Sequence, residues 1–283
     1  MRFLNRRGGT SSPAAPWTAT LFIVIFGGLL LSGCQDFFVY HPTVEDEATV
    51  HALADSRRLE PWLGAGQVRV GWYAASSTSG EAQRVILFHG NGGQAVDRDH
   101  YVRAFHGPRA LGEWDVYILE YPGYGSRPGE PSEQALIAAA RDATERLLDQ
   151  EPEKPLYIVG TSLGSGVASQ IGAEYAQRVP AILLITPFTN IEDVGASTFP
   201  RFLVRMILRD RYDNESALAQ YNGRVAVLLA GEDRVVPTEL GRRLYDGYGG
   251  PKKLWIQPEA GHNTLNFDPS LQFWAEVTRF LTE

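Results

Sequence analysis

The segment IVGTSLGSGV at residues 158–167 places Ser162 between Gly160 and Gly164, directly after a run of strand-forming residues. A Gly-x-Ser-x-Gly pattern between a strand and a helix predicts a sharp turn that lifts the serine hydroxyl above the end of a sheet. The turn strains the serine backbone, and side chains two positions away on either side would collide across it. The alternative is an ordinary glycine-rich turn, but the flanking strand and helix favour a nucleophile.

Short apolar runs alternate with helical patterns on both sides of this segment. The runs are continuous rather than alternating in polarity, which predicts strands buried on both faces of a mostly parallel sheet covered by helices. The predicted strands cover residues 68–73, 85–88, 116–119, 156–159, 182–185, 225–229 and 254–256. The predicted helices cover residues 94–111, 132–148, 163–177, 238–248 and 271–281. Active groups collect at the carboxyl ends of the strands in such sheets.

The composition argues against several classes of function. The chain has 283 residues, of which 44% are apolar, and a formal net charge of −7. Because binding to phosphates requires clustered basic residues, no nucleic-acid partner is expected. Cys34 is the only cysteine, so an intrachain disulfide and a thiolate metal cage are both excluded, and the six histidines lack the spacing of a zinc-binding helix. We expect no metal site.

The N-terminal region has the features of a secretory leader. Arg2, Arg6 and Arg7 precede an apolar run at residues 21–31. This run of about eleven residues is shorter than the roughly twenty that a membrane-spanning helix needs, and it fits the apolar part of a signal peptide. The alternative is an uncleaved anchor.

The residues Leu31-Ser32-Gly33-Cys34 at the end of this run resemble the lipobox of bacterial lipoproteins. The resemblance implies cleavage after residue 33 and acylation of Cys34, with palmitate among the expected chains. It also implies a lipid-anchored location in the cell envelope, on the periplasmic side. Gln35 in place of aspartate favours the outer membrane in the best-known bacteria.

A serine hydroxyl becomes a nucleophile only when a base takes its proton. Asp233 follows the predicted strand 225–229, and His262 follows the strand 254–256, so both lie at the same sheet edge as Ser162. The order Ser…Asp…His predicts Ser162 as nucleophile, His262 as general base and then acid, and Asp233 as the residue that orients the imidazole.

Two other carboxylates remain candidates for the acid. Glu232 precedes Asp233 directly, and Asp193 follows an earlier strand. His89 also ends a strand, but we expect it to be a structural hydrogen-bonding residue.

The segment FHGNGG at residues 88–93 predicts a flexible loop beside the nucleophile. The backbone N–H of Asn91 and that of Leu163 are expected to form an oxyanion hole. The alternative, a phosphate-cradling loop, lacks the Lys-Ser/Thr pair and the full glycine spacing of known phosphate loops.

These motifs together resemble the α/β-hydrolase superfamily, and in particular its prolyl-oligopeptidase-like and dienelactone-hydrolase-like small members. The matching blocks, in order, are LFHGNGG, EYPGYGSRPGEPSE, GTSLGSGVA, GEDRVVP and AGHN. The resemblance covers about residues 67–283. It implies a mostly parallel central sheet with helices on both faces and a short helical cap, and hydrolysis of an ester, thioester or amide through an acyl-serine, without cofactor. Glu120, where the family often has aspartate, and Gly223-Arg224, where it often has proline, depart from the pattern.

The predicted organisation is a lipoprotein signal peptide at 1–33, a tether and lead-in segment at 34–66, and an α/β-hydrolase domain at 67–283 with a cap at about 187–221. Within the cap an apolar stripe has helical spacing. Its members are Phe199, Phe202, Leu203, Met206 and Ile207. The stripe is expected either to line an acyl pocket or to pack on the core.

The predicted function is therefore that of a membrane-tethered serine hydrolase that cleaves carboxylic esters with small or medium acyl groups. A peptidase or thioesterase of the same fold is an alternative, because both use the same acyl-enzyme. A binding lipoprotein that keeps the fold without turnover is a second alternative. The oligomeric state is left open.

Overall fold

The computed structural model describes residues 39–77 and 81–283. It contains an eight-stranded sheet and a small two-stranded sheet. The strands are β1 (His41–Pro42), β2 (Glu60–Leu63), β3 (Arg69–Ala74), β4 (Gln83–Phe88), β5 (Gly92–Gly93), β6 (Trp114–Leu119), β7 (Leu156–Thr161), β8 (Ala181–Ile185), β9 (Arg224–Ala230) and β10 (Lys252–Gln257). Each predicted strand is present, with bounds within two residues of the prediction.

The large sheet has the order β10-β9-β8-β7-β4-β6-β3-β2. From β10 to β6 all neighbours pair in parallel, whereas β3 is antiparallel to both β6 and β2. β7 therefore lies in the interior of the sheet between β8 and β4. This position is where side chains from several neighbouring strand ends converge. The predicted mostly parallel sheet is confirmed.

The helices cover both faces of this sheet. They are α1 (Glu47–Ser56), α2 (Asp99–Phe105), α3 (Glu133–Gln150), α4 (Leu163–Glu174), α5 (Ile191–Ala196), α6 (Arg201–Ile207), α7 (Asn214–Leu218), α8 (Thr238–Gly247) and α9 (Gln272–Thr282). Ile86 and Phe88 of β4 pack with α3 and α4, whereas Val85 and Leu87 pack with α1, α2 and α9. This alternation explains why the strand is apolar at successive positions.

The predicted helix at 94–111 is wrong in its extent. A 3₁₀ turn at Ala95–Arg98 leads into α2, which ends at Phe105. The backbone N–H of Ala95 donates to the buried carboxylate of Glu120 at 2.9 Å, which holds the start of the segment in a tight turn. At the other end Pro108 disfavours a helical conformation at Gly107.

The interpretation of residues 34–66 as a tether and lead-in segment is corrected by two elements. The side chain of Asp46 accepts a hydrogen bond from the N–H of Thr49 at 2.8 Å and so caps α1. β2 then adds an edge strand to the sheet. The strand escaped prediction because it has four residues and contains Pro61, a residue that sheets tolerate at their edges.

Three short helices, α5, α6 and α7, fill the segment between β8 and β9. The segment is attached to the helical layer through Glu133 at the start of α3. Its carboxylate accepts hydrogen bonds from the backbone N–H groups of Arg211 at 2.6 Å and Tyr212 at 2.9 Å. Hydrogen bonds from N–H groups to a charged acceptor are stronger than neutral ones, so this contact holds the segment over the sheet edge.

Candidate active site

Ser162 sits in a strained turn between β7 and α4. Its backbone has φ 51° and ψ −120°, a conformation that residues other than glycine rarely adopt. A Cβ on Gly160 would lie 2.5 Å from the carbonyl oxygen of Gly164, and one on Gly164 would overlap the carbonyl of Phe88. Both glycines are therefore required by close backbone approach, and the chain turns sharply enough to place the serine at the strand end.

His262 connects Ser162 with Asp233. Its Nε2 lies 3.0 Å from Oγ of Ser162, and its Nδ1 lies 2.7 Å from Oδ2 of Asp233. The other carboxylate oxygen, Oδ1, accepts the backbone N–H groups of Val235 at 2.9 Å and Val236 at 2.8 Å. The carboxylate is thus held on both sides, and it favours the tautomer in which Nδ1 carries the proton and Nε2 accepts one from the serine.

Both other candidate acids lie elsewhere. Glu232 is exposed to solvent. Asp193, in α5, accepts hydrogen bonds from Thr189 at 2.7 Å and Arg201 at 2.7 Å and forms an ion pair with Arg243. Although burial works to raise the pKa of Asp193, the hydrogen bonds from Thr189 and Arg201 hold it below its ordinary value. Asp193 is therefore a structural carboxylate that ties α5 to α6 and α8.

The two predicted oxyanion-hole residues both border the same pocket as Ser162. Leu163 is the first residue of α4, where the backbone N–H has no partner inside the helix. The carbonyl of Asn91 accepts hydrogen bonds from the N–H of His41 at 3.1 Å and the hydroxyl of Tyr124 at 2.9 Å. The loop that carries the Asn91 N–H is thereby fixed beside the serine.

The side chain of His89 makes a hydrogen bond to the backbone of this loop. It is fully buried, its Nδ1 lies 2.8 Å from the carbonyl oxygen of Gly90, and its Nε2 lies 3.6 Å from Oε1 of Glu120. Burial lowers the pKa of His89, so the ring is neutral at ordinary pH and Nδ1–H donates to Gly90. This geometry agrees with the predicted structural role.

An apolar pocket of about 370 Å³ opens beside Ser162. Three members of the predicted stripe, Phe199, Leu203 and Ile207, line it, whereas Phe202 and Met206 do not. Further apolar lining residues come from three other parts of the chain and include Val39, Phe188, Ile191, Val194, Val235 and Val236. Val235 and Val236 directly follow Asp233, a proximity that was visible in the sequence. Nothing in the sequence connected Val39 to the pocket.

Known proteins are similar to this chain in sequence. The sequence model of the alpha/beta hydrolase fold family matches residues 83–211. An uncharacterized protein of Mycobacterium tuberculosis is 36% identical over 216 residues, which cover 75% of this chain and 74% of the relative. The chain belongs to the alpha/beta hydrolase fold family.

Other relatives of this hydrolase are longer. The lysophosphatidylserine lipase ABHD12 of Danio rerio is 32% identical over 210 residues, which cover 68% of this chain and 54% of the lipase. The mouse (Mus musculus) protein of the same name is 30% identical over 192 residues, which cover 62% of this chain and 47% of the mouse lipase. The chain thus spans about half the length of these lipases.

Solved hydrolase structures share the fold. The Pyrococcus furiosus esterase Pf2001 superposes with a TM-score of 0.64 at 19% identity, covering 86% of this chain and 97% of the esterase. Est1E from Butyrivibrio proteoclasticus superposes with a TM-score of 0.63 at 13% identity, covering 79% of this chain and 98% of Est1E. Identities this low support the architecture alone. The likeness to prolyl-oligopeptidase-like and dienelactone-hydrolase-like members of the family stays a prediction.

Several predictions about this hydrolase concern residues 1–38, which lie outside the described residues. They include the signal peptide at 1–33 and acylation of Cys34. Within residues 39–77 and 81–283, no helix has the length and apolar character needed to cross a membrane. The same described residues contain no group of three or more His, Cys, Asp and Glu side chains arranged to hold a metal ion.

Proposed function

We propose that this chain is a serine hydrolase that cleaves carboxylic ester bonds through an acyl-serine intermediate. The observation that carries the proposal is His262, which makes hydrogen bonds to Ser162 and Asp233 at the border of an apolar pocket. A hydroxyl, an imidazole and a buried carboxylate in this order activate the hydroxyl as a nucleophile. The strained backbone of Ser162 adds support, because such strain is concentrated at functional sites.

In the first half of the proposed reaction, Oγ of Ser162 attacks the ester carbonyl carbon while Nε2 of His262 takes its proton. The negative charge that develops on the carbonyl oxygen is stabilised by the N–H groups of Leu163 and Asn91. When the tetrahedral intermediate collapses, the bond to the alcohol oxygen breaks and His262 returns the proton to the leaving alcohol. Asp233 stabilises the imidazolium during this step.

In the second half, a water molecule attacks the acyl-serine and gives a proton to His262. The new intermediate collapses, the bond between the acyl group and Oγ breaks, and the proton passes from His262 to Ser162. The carboxylic acid leaves and the starting state is restored. Every proton is carried by His262, so neither metal nor organic cofactor enters the proposed reaction.

The proposed substrate is an ester with one apolar acyl chain. The pocket beside Ser162 has about 370 Å³, which is within the usual range for small-ligand sites, and its lining is mostly apolar. The segment 187–221 would act as a cap that covers the acyl chain of the bound ester. The relatives called lysophosphatidylserine lipases support a lipid with a single acyl chain, and a lysophospholipid is the first natural compound to test.

The chain would act from a membrane to which it is tethered. The lipobox-like residues before Cys34 support acylation of that cysteine, and two or three acyl chains give stable anchoring where a single chain does not. The proposed location is the periplasmic side of the cell envelope, with the outer membrane favoured by Gln35. Replacing Cys34 by serine should move the protein out of the membrane fraction, and unchanged fractionation would contradict the lipid anchor.

The test of the hydrolase is labelling with a fluorophosphonate, followed by a series of p-nitrophenyl esters and by lysophosphatidylserine. Labelling should map to Ser162 and vanish in Ser162→Ala, together with ester turnover. A folded sample that is not labelled would favour a binding lipoprotein. A thioester or peptide amide that is cleaved much faster than every ester would favour a thioesterase or a peptidase.

A further inference from the structure

The helix α6 and the residues just before it carry large apolar side chains that face solvent. The exposed fractions are 56% for Phe199, 65% for Phe202 and 70% for Met206. Phe202 and Met206 are four positions apart in α6, so they share one face of the helix, and Phe199 lies two residues before the helix begins. Val235, in the loop after Asp233, is 55% exposed. We call these four residues the apolar rim. Isolated exposed apolar residues are ordinary, whereas large exposed apolar side chains that cluster near a pocket are a feature of interaction sites.

Two members of the apolar rim lie at the opening of the pocket. Phe199 and Val235 line the pocket and are exposed at the same time, so they lie where it meets solvent. Phe202 and Met206 lie on α6, which follows Phe199 directly after Pro200, and they are outside the pocket. A ligand with an apolar chain could therefore pass from the surface of the rim to Ser162 without leaving apolar surroundings.

The first described residue, Val39, lines the same pocket. Its carbonyl accepts a hydrogen bond from the side-chain amide of Asn91 at 3.0 Å, so its position is fixed. Cys34 precedes it by five residues and the apolar run 21–31 by eight. Five residues span at most about 18 Å even when fully extended. Whether the acylated cysteine or the apolar run is the anchor, only a short stretch of sequence separates it from Val39 at the pocket.

The charges around the rim suit a phospholipid surface. Residues 199–211 contain four arginines and one aspartate, a net of +3 in a chain whose formal charge is −7. Arg201 and Arg205 both contact the carboxylate of Glu192, so part of this charge is compensated. No Asp or Glu occurs between Phe199 and Leu208. Aromatic and aliphatic side chains next to arginines are typical of elements that lie in the membrane interface.

We propose that the apolar rim docks on the phospholipid bilayer that holds the N-terminal anchor, so that the acyl ester enters the pocket directly from the membrane. The inference about substrate entry rests on the proposed ester hydrolase, whereas the docking itself does not. A second copy of the chain is the competing occupant. The bilayer is favoured because the short connection between Cys34 and Val39 keeps the rim near the anchoring membrane.

The docking is tested with the full chain in phosphatidylcholine vesicles, carrying Ser162→Ala so that no lipid is consumed. A nitroxide is attached to Met206→Cys, and its accessibility to oxygen and to a water-soluble nickel chelate is measured. Leu111→Cys is the matched control. Leu111 is also exposed, but it precedes the N-terminal end of β6, whereas the pocket lies at the carboxyl ends of the parallel strands. Labelled protein without an added cysteine gives the background.

The label at residue 206 should be accessible to oxygen and shielded from nickel, and the label at residue 111 should show the reverse. Equal nickel accessibility at both positions would overturn the docking. Dipolar broadening between labels at residue 206, without shielding by lipid, would overturn it in favour of a second copy. Because the variant is inactive, failure of the proposed hydrolysis would not affect this measurement.

Substrate entry is tested with Phe202→Glu and Met206→Glu, neither of which lines the pocket. Both should slow hydrolysis of an ester embedded in vesicles by about tenfold or more, because a charge disfavours burial of the rim in the interface. Hydrolysis of p-nitrophenyl acetate in water should stay within about twofold. Leu111→Glu should change neither rate. An equal loss on both substrates, or no loss on either, would contradict entry from the membrane.

Discussion

The Nε2 atom of His262 lies 3.0 Å from Oγ of Ser162, although 100 positions separate the two residues in the chain. They meet because β7 and β10 are parallel members of one sheet, so the loops that follow them emerge at the same edge. β8 and β9 lie between these strands. The loop after β10 must therefore reach across the strand ends, and Asp233, which follows β9, holds the imidazole along the way.

The first prediction concerns the carboxylate. Asp233→Asn removes the charge that favours the Nδ1–H tautomer and stabilises the imidazolium, so kcat should fall by about ten-thousandfold. Glu232→Gln is the matched control, because it changes the neighbouring exposed carboxylate, and it should leave turnover nearly unchanged. Steady-state kinetics with a soluble p-nitrophenyl ester distinguish the two. A larger loss in the Glu232 variant would mean that the acid is wrongly assigned.

A second prediction addresses the turn at Ser162. In Gly164→Ala, the new methyl group would overlap the carbonyl of Phe88, and we expect a loss of about 1–3 kcal/mol in the free energy of unfolding. Gly247→Ala at the end of α8 is the control, because its Cβ would meet open space, and it should change stability by no more than about 0.5 kcal/mol. Urea denaturation measures both. Equal stability of the two variants would show that the turn at Ser162 tolerates a side chain at position 164.

Pocket shape leads to a third expectation. Val194 in α5 lines the pocket, and Val194→Phe would fill part of it. The value of kcat/KM for octanoyl esters should fall by about tenfold or more, with acetyl esters little affected. Phe202→Ala, in the same segment but outside the pocket, should keep the wild-type chain-length profile. A profile that Val194→Phe leaves unchanged would mean that the acyl chain binds elsewhere.

The pH dependence of stability gives a fourth prediction. Burial, with a contribution from the positive charge of Arg98, lowers the pKa of His100 from 6.5 to about 4. Between these values the unfolded chain binds a proton that the folded chain does not, so the free energy of unfolding falls as the pH falls through this window. His100→Phe removes this titration and keeps a ring against Tyr101 and Phe267, whose centroids lie 4.3 and 5.2 Å from that of His100.

The thermal midpoint of His100→Phe should therefore decline less steeply from pH 6.5 to pH 4 than that of the wild type. The decline should not vanish, because burial also lowers the pKa of His89. Parallel curves for the two proteins would show that His100 is not held neutral in the folded state. Scanning calorimetry across this pH range provides the comparison.

The sequence was sufficient for the elements whose signals are local. Continuous apolar runs predicted the buried strands, and the Gly160-Thr161-Ser162-Leu163-Gly164 pattern predicted the turn, because both depend on neighbours in the chain. The segment before residue 67 was interpreted too simply, since the four-residue β2 forms only through its pairing with β3. The predicted helix at 94–111 was too long because the contact of Ala95 with the distant Glu120 outweighs the helical pattern.

By itself, the amino-acid sequence determined the kind of sheet, the turn at Ser162 and the three side chains that were candidates for one site. Only the tertiary structure distinguished Asp233 from Glu232 and Asp193, because the choice depends on which carboxylate reaches Nδ1 of His262. It alone divided the apolar stripe between the pocket and solvent and placed Val39 in the lining of the pocket that Ser162 borders. These relationships arise when loops from separate strands and the first of the described residues converge at one sheet edge, and no local pattern in the sequence encodes that convergence.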